Sequence, residues 1–216
     1  MRNKATNLQV KKMKDALELI VERKTTGIYD PDVVISNSDV KEIANYAFQS
    51  PSAFNLQNWY ILAVHSQSAK EKLCEAAYGQ PQTKDAAVTY VVCGDSEGYK
   101  NLERILQSDV NEQIIPDSIK DAWVSMAAQS HENSEILRRD EAIRSASLLA
   151  MSLIYAAEAK GYDTGSVGGF DPEMVKRSFN LSDSLIPTIL ITVGKAAEGN
   201  WQKKTRRPTE EVLTIA

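Results

Sequence analysis

The sequence predicts one compact domain of mixed α-helices and β-strands, and three observations carry that prediction. A chain of 216 residues, 43% apolar and 25% charged, can bury one substantial core but hardly two. Two continuous apolar, β-prone runs, Trp59–Val64 and residues 86–92, read as central strands covered on both faces. Around them apolar residues recur at helical spacing, most extensively over residues 135–160.

Each element follows in chain order. Met13, Ala16, Leu17, Ile20 and Val21 predict a first helix that runs into Arg23-Lys24-Thr25-Thr26 and stops near Gly27. Ser38 reads as the cap of a second helix with Val40, Ile43, Ala44, Ala47 and Phe48 on one face. Ser50-Pro51-Ser52 opens another short helix or turn, and residues 69–78 form a helix ended by Gly79. The polar stretch 97–130 is split by Pro116 into two weaker helices and reads as a lid-like excursion. Residues 135–160, rich in small side chains such as Ala142, Ala146, Ala150 and Ala157, form the central, mostly buried helix. A glycine-rich turn from Gly165 to Gly169 leads through Asp171-Pro172 into a short helix ending at Phe179. Residues 186–193 supply one more buried strand. Residues 1–12 are an N-terminal extension, and the tail 195–216 has little core of its own.

Composition excludes several function classes. A net charge of -4 and a pI near 5.4 argue against a general nucleic-acid binder, which needs a basic face for phosphates. One local exception stands out: Lys203-Lys204-Thr205-Arg206-Arg207 places four cations in five positions of an acidic protein. Cys74 and Cys93 sit in apolar surroundings with no Cys-x-x-Cys or Cys/His cluster, so neither a disulfide framework nor a metal site is expected. Only His65 and His131 are available for a histidine-based site, and neither has a partner pattern. The N-terminus lacks the apolar core of a signal peptide, and no apolar run approaches a membrane span, so the expectation is a soluble cytoplasmic protein with no membrane contact.

Three segments could carry chemistry. Gly165 to Gly169 lets a backbone approach a ligand closely, although it is not Gly-x-Gly-x-x-Gly and a tight connection explains the same glycines. Arg23-Lys24-Thr25 and Lys203-Lys204-x-Arg206-Arg207 together suit a terminal phosphate, although a solvated charged face explains either cluster alone. The small residues and amides of the 50–57 segment suit hydrogen bonding to a flat heteroaromatic ring, or an ordinary capped helix.

The order of these segments is more telling than any one of them. Arg-Lys-Thr-Thr-Gly-Ile-Tyr-Asp at 23–30, Ser-Pro-Ser-Ala-Phe-Asn-Leu-Gln-Asn-Trp at 50–59, Gly-Gly-Phe-Asp-Pro at 168–172 and Lys-Thr-Arg-Arg-Pro at 204–208 resemble the FMN-dependent nitroreductase family. The most specific block is Pro-Ser-x-x-Asn-x-Gln-x-Trp, at Pro51, Ser52, Asn55, Gln57 and Trp59, and residues 79–86 look like the family's approach to its next strand. The resemblance implies an α+β, nitroreductase-like fold: a central, mostly antiparallel sheet flanked by helices, a long central helix, and a C-terminal arm exchanged in a homodimer. It implies FMN at the subunit interface and NADH or NADPH as donor. Arg23, Lys24 and Thr25, with Lys204 and Arg206, would hold the phosphate and ribityl end. Pro51, Ser52, Ala53 and Asn55 of the other chain would edge the flavin, and the backbone at Val167, Gly168 and Gly169 would face N5. Gly27 and Gln82 occupy positions near N1 and O2 that are basic in many members, with Lys84, Gln80 or Gln82 able to compensate by hydrogen bonding. Asn58 replaces the usual proline before the tryptophan, and Gly79 an asparagine often found near the flavin.

The implied reaction passes hydride from NAD(P)H through N5 to a nitroaromatic, quinone or similar small-molecule acceptor by ping-pong turnover, with no catalytic side chain. Phe54, Tyr99, Trp123 and Met126 would line the acceptor pocket or else serve as core. The alternatives are a specialised flavoenzyme of the same family, such as a dehydrogenase, a dehalogenase or a flavin-destroying enzyme, or a non-enzymatic flavin-binding protein.

Overall fold

A computed structural model describes residues 16–216; Met13 and the 1–12 extension lie outside the described residues. Four strands, β1 (Trp59–Val64), β2 (Val88–Asp95), β3 (Asp163–Val167) and β4 (Leu185–Gly194), form one sheet in the order β1-β2-β4-β3, every neighbouring pair antiparallel. Among the described residues eight helices surround it: α1 (Ala16–Glu22), α2 (Asn37–Ala47), α3 (Gln67–Ala76), α4 (Gln82–Asp85), α5 (Leu102–Asn111), α6 (Asp117–Glu132), α7 (Glu135–Ala159) and α8 (Pro172–Phe179). This is the expected α+β architecture, with α7 as its long central helix.

Alternation along β2 and β4 divides the core into two layers, because successive side chains of a strand point to opposite faces. Val88, Tyr90, Val92, Ile191 and Val193 pack with α2 and α7. Val91, Cys93 and Leu190 pack with Leu73 of α3 and Val175 of α8. Full burial of Leu149 and Leu153 stabilises the first layer by roughly 1.5–3 kcal/mol each. The small residues of α7 let it lie almost on the sheet: a methyl group at Gly94 would overlap the Ala142 carbonyl. A third cluster, built on Leu56, Tyr99, Leu102, Leu106 and Ala127, holds α5 and α6 together. Pro187, which has no N–H to give a ladder, sits where the β2–β4 register shifts between Val92 and Cys93. Both cysteines are free and buried, and burial pushes the Cys93 thiol up to about 12.

Several local expectations are corrected. β1 is an edge strand rather than a central one. Its apolar run reflects two packed faces, with Trp59 and Ile61 against one layer and Leu62 and Val64 against the other, and face burial says nothing about edge pairing. The second helix is capped by Ser36, not Ser38: Ser36 Oγ accepts from Asp39 N at 3.0 Å and donates to Asp39 Oδ2 at 2.9 Å. The first helix ends at Glu22 rather than near Gly27, because Thr26 N donates to the Thr164 carbonyl at 2.8 Å and that sheet-edge bond requires extended chain.

The largest correction concerns the glycine-rich segment: Gly165 lies inside β3, not in a turn. A Cβ there would overlap the Thr26 carbonyl and stand 2.6 Å from Thr192 Oγ1, so glycine is required by close packing of three segments. Gly165→Ala is therefore expected to cost about 1–3 kcal/mol, since a backbone oxygen cannot move aside as a flexible side chain would. Urea denaturation checks this, and an unchanged midpoint would show that the three segments are not packed this closely.

Candidate functional site

The close approach at Gly165 determines what lies beside it. Tyr29 forms an antiparallel bridge with Ala196, Asp30 N donates to the Lys195 carbonyl at 2.9 Å, and Ala197 N donates to the Ile28 carbonyl at 3.0 Å. Burial raises the Tyr29 phenol above its ordinary range, so it stays neutral and shares a 2.8 Å hydrogen bond with Thr192 Oγ1. Asn200 completes the junction. Its Oδ1 accepts from Gly27 N at 2.8 Å and Ile28 N at 3.0 Å, while Nδ2 donates to the Ile28 and Ala197 carbonyls at 2.7 and 2.9 Å. The tail is thus folded back along residues 27–30 and returns to the end of α1, where Lys203 Nζ donates to the Val21 carbonyl.

Between these segments is a cavity of about 450 Å³ lined by Lys24, Thr25 and Gly27, by Ser166 of β3, and by residues 200–204 and Arg206 of the tail. Two sequence-distant basic clusters therefore meet on one volume. The lining carries four cations, Lys24, Lys203, Lys204 and Arg206, the hydroxyls of Thr25 and Ser166, and no carboxylate. Such a donor set suits a phosphate-sized anion. Trp201 adds a flat surface, 79% exposed, with Lys204 Nζ 6.0 Å from its ring centroid.

Arg23 is not part of this lining. Its charge acts instead on Glu158, whose carboxylate accepts from Thr164 Oγ1 at 2.8 Å and Thr164 N at 3.1 Å. Burial is the largest influence on Glu158 and pushes its carboxyl upward.

The other expected site residues lie apart from the cationic cavity. Val167 is buried at the end of β3, and Gly168 and Gly169 follow it exposed. Gln82, the first residue of α4, donates to Gln80 Oε1 at 3.0 Å, and Gln80 Nε2 donates to the Gly169 carbonyl at 2.5 Å. Pro51, Ser52, Ala53 and Asn55 are on or beside the short 3-10 turn Ala53–Asn55 and do not line the cavity of their own chain. That segment has left-handed backbone at Phe54, Asn55 and Gln57, with φ of 51°, 58° and 46°, held by a 2.9 Å bond from Gln57 N to Ser52 Oγ. Such conformations cost free energy and cluster where a loop must present groups in one arrangement.

The four acceptor-pocket candidates divide. Phe54 and Trp123 meet edge-on with centroids 6.2 Å apart, and Tyr99 is core, stacked on His131 at 5.3 Å. Met126 is 55% exposed on α6. Among the residues not singled out beforehand, Ser166 and Asn200 matter most. The Gly199-Asn200 pair, with Gly199 at φ 92°, is an ordinary turn signal that marks where the tail reverses.

An antiparallel sheet covered by helices, with a cationic cavity beside β3, defines an α+β protein whose cavity is lined by cations and hydroxyls. The chain belongs to the nitroreductase family, whose model matches residues 20–195. It is 34% identical over 202 residues to YodC of Bacillus subtilis, provisionally named an NAD(P)H nitroreductase, covering 94% of this chain and 99% of that one. It is 26% identical over 189 residues to the CLA biosynthesis enone reductase of Lactiplantibacillus plantarum, covering 85% and 87%. Among solved structures, a provisionally named nitroreductase of Exiguobacterium sibiricum in complex with FMN superimposes with a TM-score of 0.89 at 26% identity, over 96% of this chain and all of that one.

The half-buried Glu158 carboxyl gives a pH prediction. Glu158 holds its proton more tightly when folded than when unfolded, so it lowers stability as pH rises from the ordinary carboxyl value through its raised folded value. Glu158→Gln removes this dependence, so the variant should gain stability relative to the parent over the pH range that begins at the ordinary carboxyl value of about 4.3 and runs upward. Thermal unfolding across that range checks it, and a constant difference would show a solvated carboxyl.

Proposed function

We propose that the chain is an FMN-dependent NAD(P)H oxidoreductase that works as a homodimer. The cavity formed by Lys24, Thr25, Lys204 and Arg206 carries this reading, because cations, hydroxyls and the absence of a lining carboxylate match the phosphate of FMN. When bound, FMN would supply the redox chemistry, hydride transfer at N5 between NADH or NADPH and a nitroaromatic, quinone or similar acceptor by ping-pong turnover. The protein then has only to bind, orient and exclude water, consistent with a cavity lined by no histidine, cysteine or carboxylate.

Lys24, Lys204 and Arg206 would neutralise the phosphate while Thr25 donates to it. Gly168 and Gly169 leave the backbone of the β3–α8 turn open to a flat ring. Gly27 and Gln82 supply no charge near N1 and O2, which makes reduction harder than a cation there would.

The second copy is needed to complete the site, because Pro51, Ser52, Ala53 and Asn55 do not line the cavity of their own chain. Exposed apolar side chains support that assembly. Leu17, Ile20 and Val21 of α1 are 73%, 49% and 64% exposed, and Val212, Leu213 and Ile215 of the tail are 60%, 56% and 90% exposed. A cavity of about 510 Å³ among α1, α2 and α7, lined by Leu19, Tyr46 and Tyr155, offers complementary apolar surface. The 97–130 segment, with Trp123 and Met126, would face the acceptor side as a lid, and the 195–216 tail would be the arm that ties the two copies.

A flavin-binding protein without turnover is the competing reading, favoured by the missing charges at Gly27 and Gln82. Purified protein should be yellow and bleach anaerobically with NADH or NADPH. A yellow protein inert to both donors would leave only the binding role, and a colourless protein that takes up no FMN would defeat both.

Charge dependence tests the clamp separately. Two charge-assisted contacts are worth about 1.5–3 kcal/mol each, so Lys204→Ala with Arg206→Ala should weaken FMN binding by at least about 100-fold at low salt. Screening should shrink that factor at high salt, and an equal loss at both would count against a phosphate contact.

A further inference from the structure

Gln80 joins three segments that share no secondary structure. Its side-chain nitrogen donates to the Ala77 carbonyl at the end of α3, at 2.9 Å, and to the Gly169 carbonyl of the β3–α8 turn, at 2.5 Å. Its side-chain oxygen accepts from Gln82 Nε2 at 3.0 Å. Two carbonyl acceptors can be met only by the NH₂ end, so the orientation of this amide is dictated by its partners. Beyond the buried Phe170, Asp171 N donates to the Ala76 carbonyl at 2.8 Å. The turn is therefore fastened to α3 on both sides of Phe170.

What is fastened is a pair of consecutive glycines. Consecutive glycines allow the peptide between them to rotate with little steric resistance. Neither Gly168 nor Gly169 has a left-handed φ, and a Cβ at Gly168 would meet nothing within 4 Å. No contact within the chain asks for glycine at 168. The missing side chain leaves open space above an exposed backbone, which suits close approach of a flat ligand.

We infer that Gln80 is a positioning residue that fixes the orientation of the Gly168–Gly169 backbone toward the flavin, with Gln82 holding the Gln80 amide in the donating orientation. The inference rests on the flavin reading above. It deepens that reading by assigning control of the ring end to a residue that acts through the Gly169 carbonyl. N5 accepts a hydrogen bond when oxidised and carries a hydrogen when reduced, so a backbone fixed in one orientation favours one state over the other.

The test is Gln80→Met, which keeps side-chain length and removes the donor. Reduction by NADH in a single turnover should slow by about tenfold and the flavin midpoint potential should shift, while the Kd for FMN changes by less than about threefold because the phosphate end still holds it. In the flavin-free chain, amide relaxation at Gly168 and Gly169 should show exchange absent from the parent. Gln82→Met should reproduce the same pattern at smaller size and carries the test if Gln80→Met fails to fold. A folded variant with unchanged rate, potential and glycine relaxation overturns the positioning role, as does a loss of FMN affinity as large as the loss of rate. A parent chain that takes up no FMN instead overturns the flavin reading, whatever the glycine amides show.

Discussion

The contact that the site depends on is the close packing of residues 26–29 against the edge of the sheet. Thr26 N bonds to Thr164, Tyr29 reaches Thr192, and both Gly165 and Gly194 lack the side chain that would hold these segments apart. Extended chain at 23–27 follows from this contact, since a helix cannot offer its N–H groups to a neighbouring strand. Once the 27–30 segment lies there, its free edge pairs with residues 195–197, and Asn200 closes the junction with four hydrogen bonds. Only then do the cations after Asn200 reach Lys24 and Thr25. Charge in the tail would count for little without that backbone scaffold, because exposed cations on a loose segment are screened and lose entropy on ordering.

The two ends of the proposed ligand are handled by different physics. At the phosphate end, the work is done by charge, and geometry can be tolerant because lysine is a point charge on a flexible stem. At the ring end, the work is done by backbone placement, where tolerance is small and flexible glycines must be restrained from outside. Gln80 and the Asp171–Ala76 bond provide that restraint from α3, on the opposite layer of the sheet from α7. On the proposed reading, affinity and reactivity are separable, the first residing mainly in side chains of the tail and the second in the packing of a turn.

Much of this was legible in the sequence, and the reasons differ by element. The helix from Glu135 to Ala159 and the strands around Val91 and Leu190 announced themselves by long periodic or continuous apolar runs. The two basic clusters were visible as clusters, but that they share one cavity depends on the reversal at Gly199-Asn200 and on a four-bond side chain, three of whose bonds reach residues more than 170 positions away. Gly165 was misread because glycine has two uses, turning and close approach, and the sequence does not distinguish them. β1 was placed in the sheet's interior because burial of both faces was taken to mean pairing of both edges. Ser36 and Ser38 both offer a capping hydroxyl, and the Asp39 partner three residues after Ser36 decides between them. Asn200 follows a glycine that signals only a turn, and Gln80 is a polar loop residue, so neither context indicates the long-range hydrogen bonds its side chain makes.

The central claim is that the tail and the 24–25 segment form a phosphate site. A fluorescence titration of the flavin-free protein with FMN and with riboflavin tests it most directly, since the two ligands share the ring and ribityl chain and differ only in the phosphate. With two or more charge-assisted contacts to that group, FMN should bind at least about 100-fold more tightly than riboflavin at low salt. Equal affinity for the two would contradict a phosphate site in this cavity.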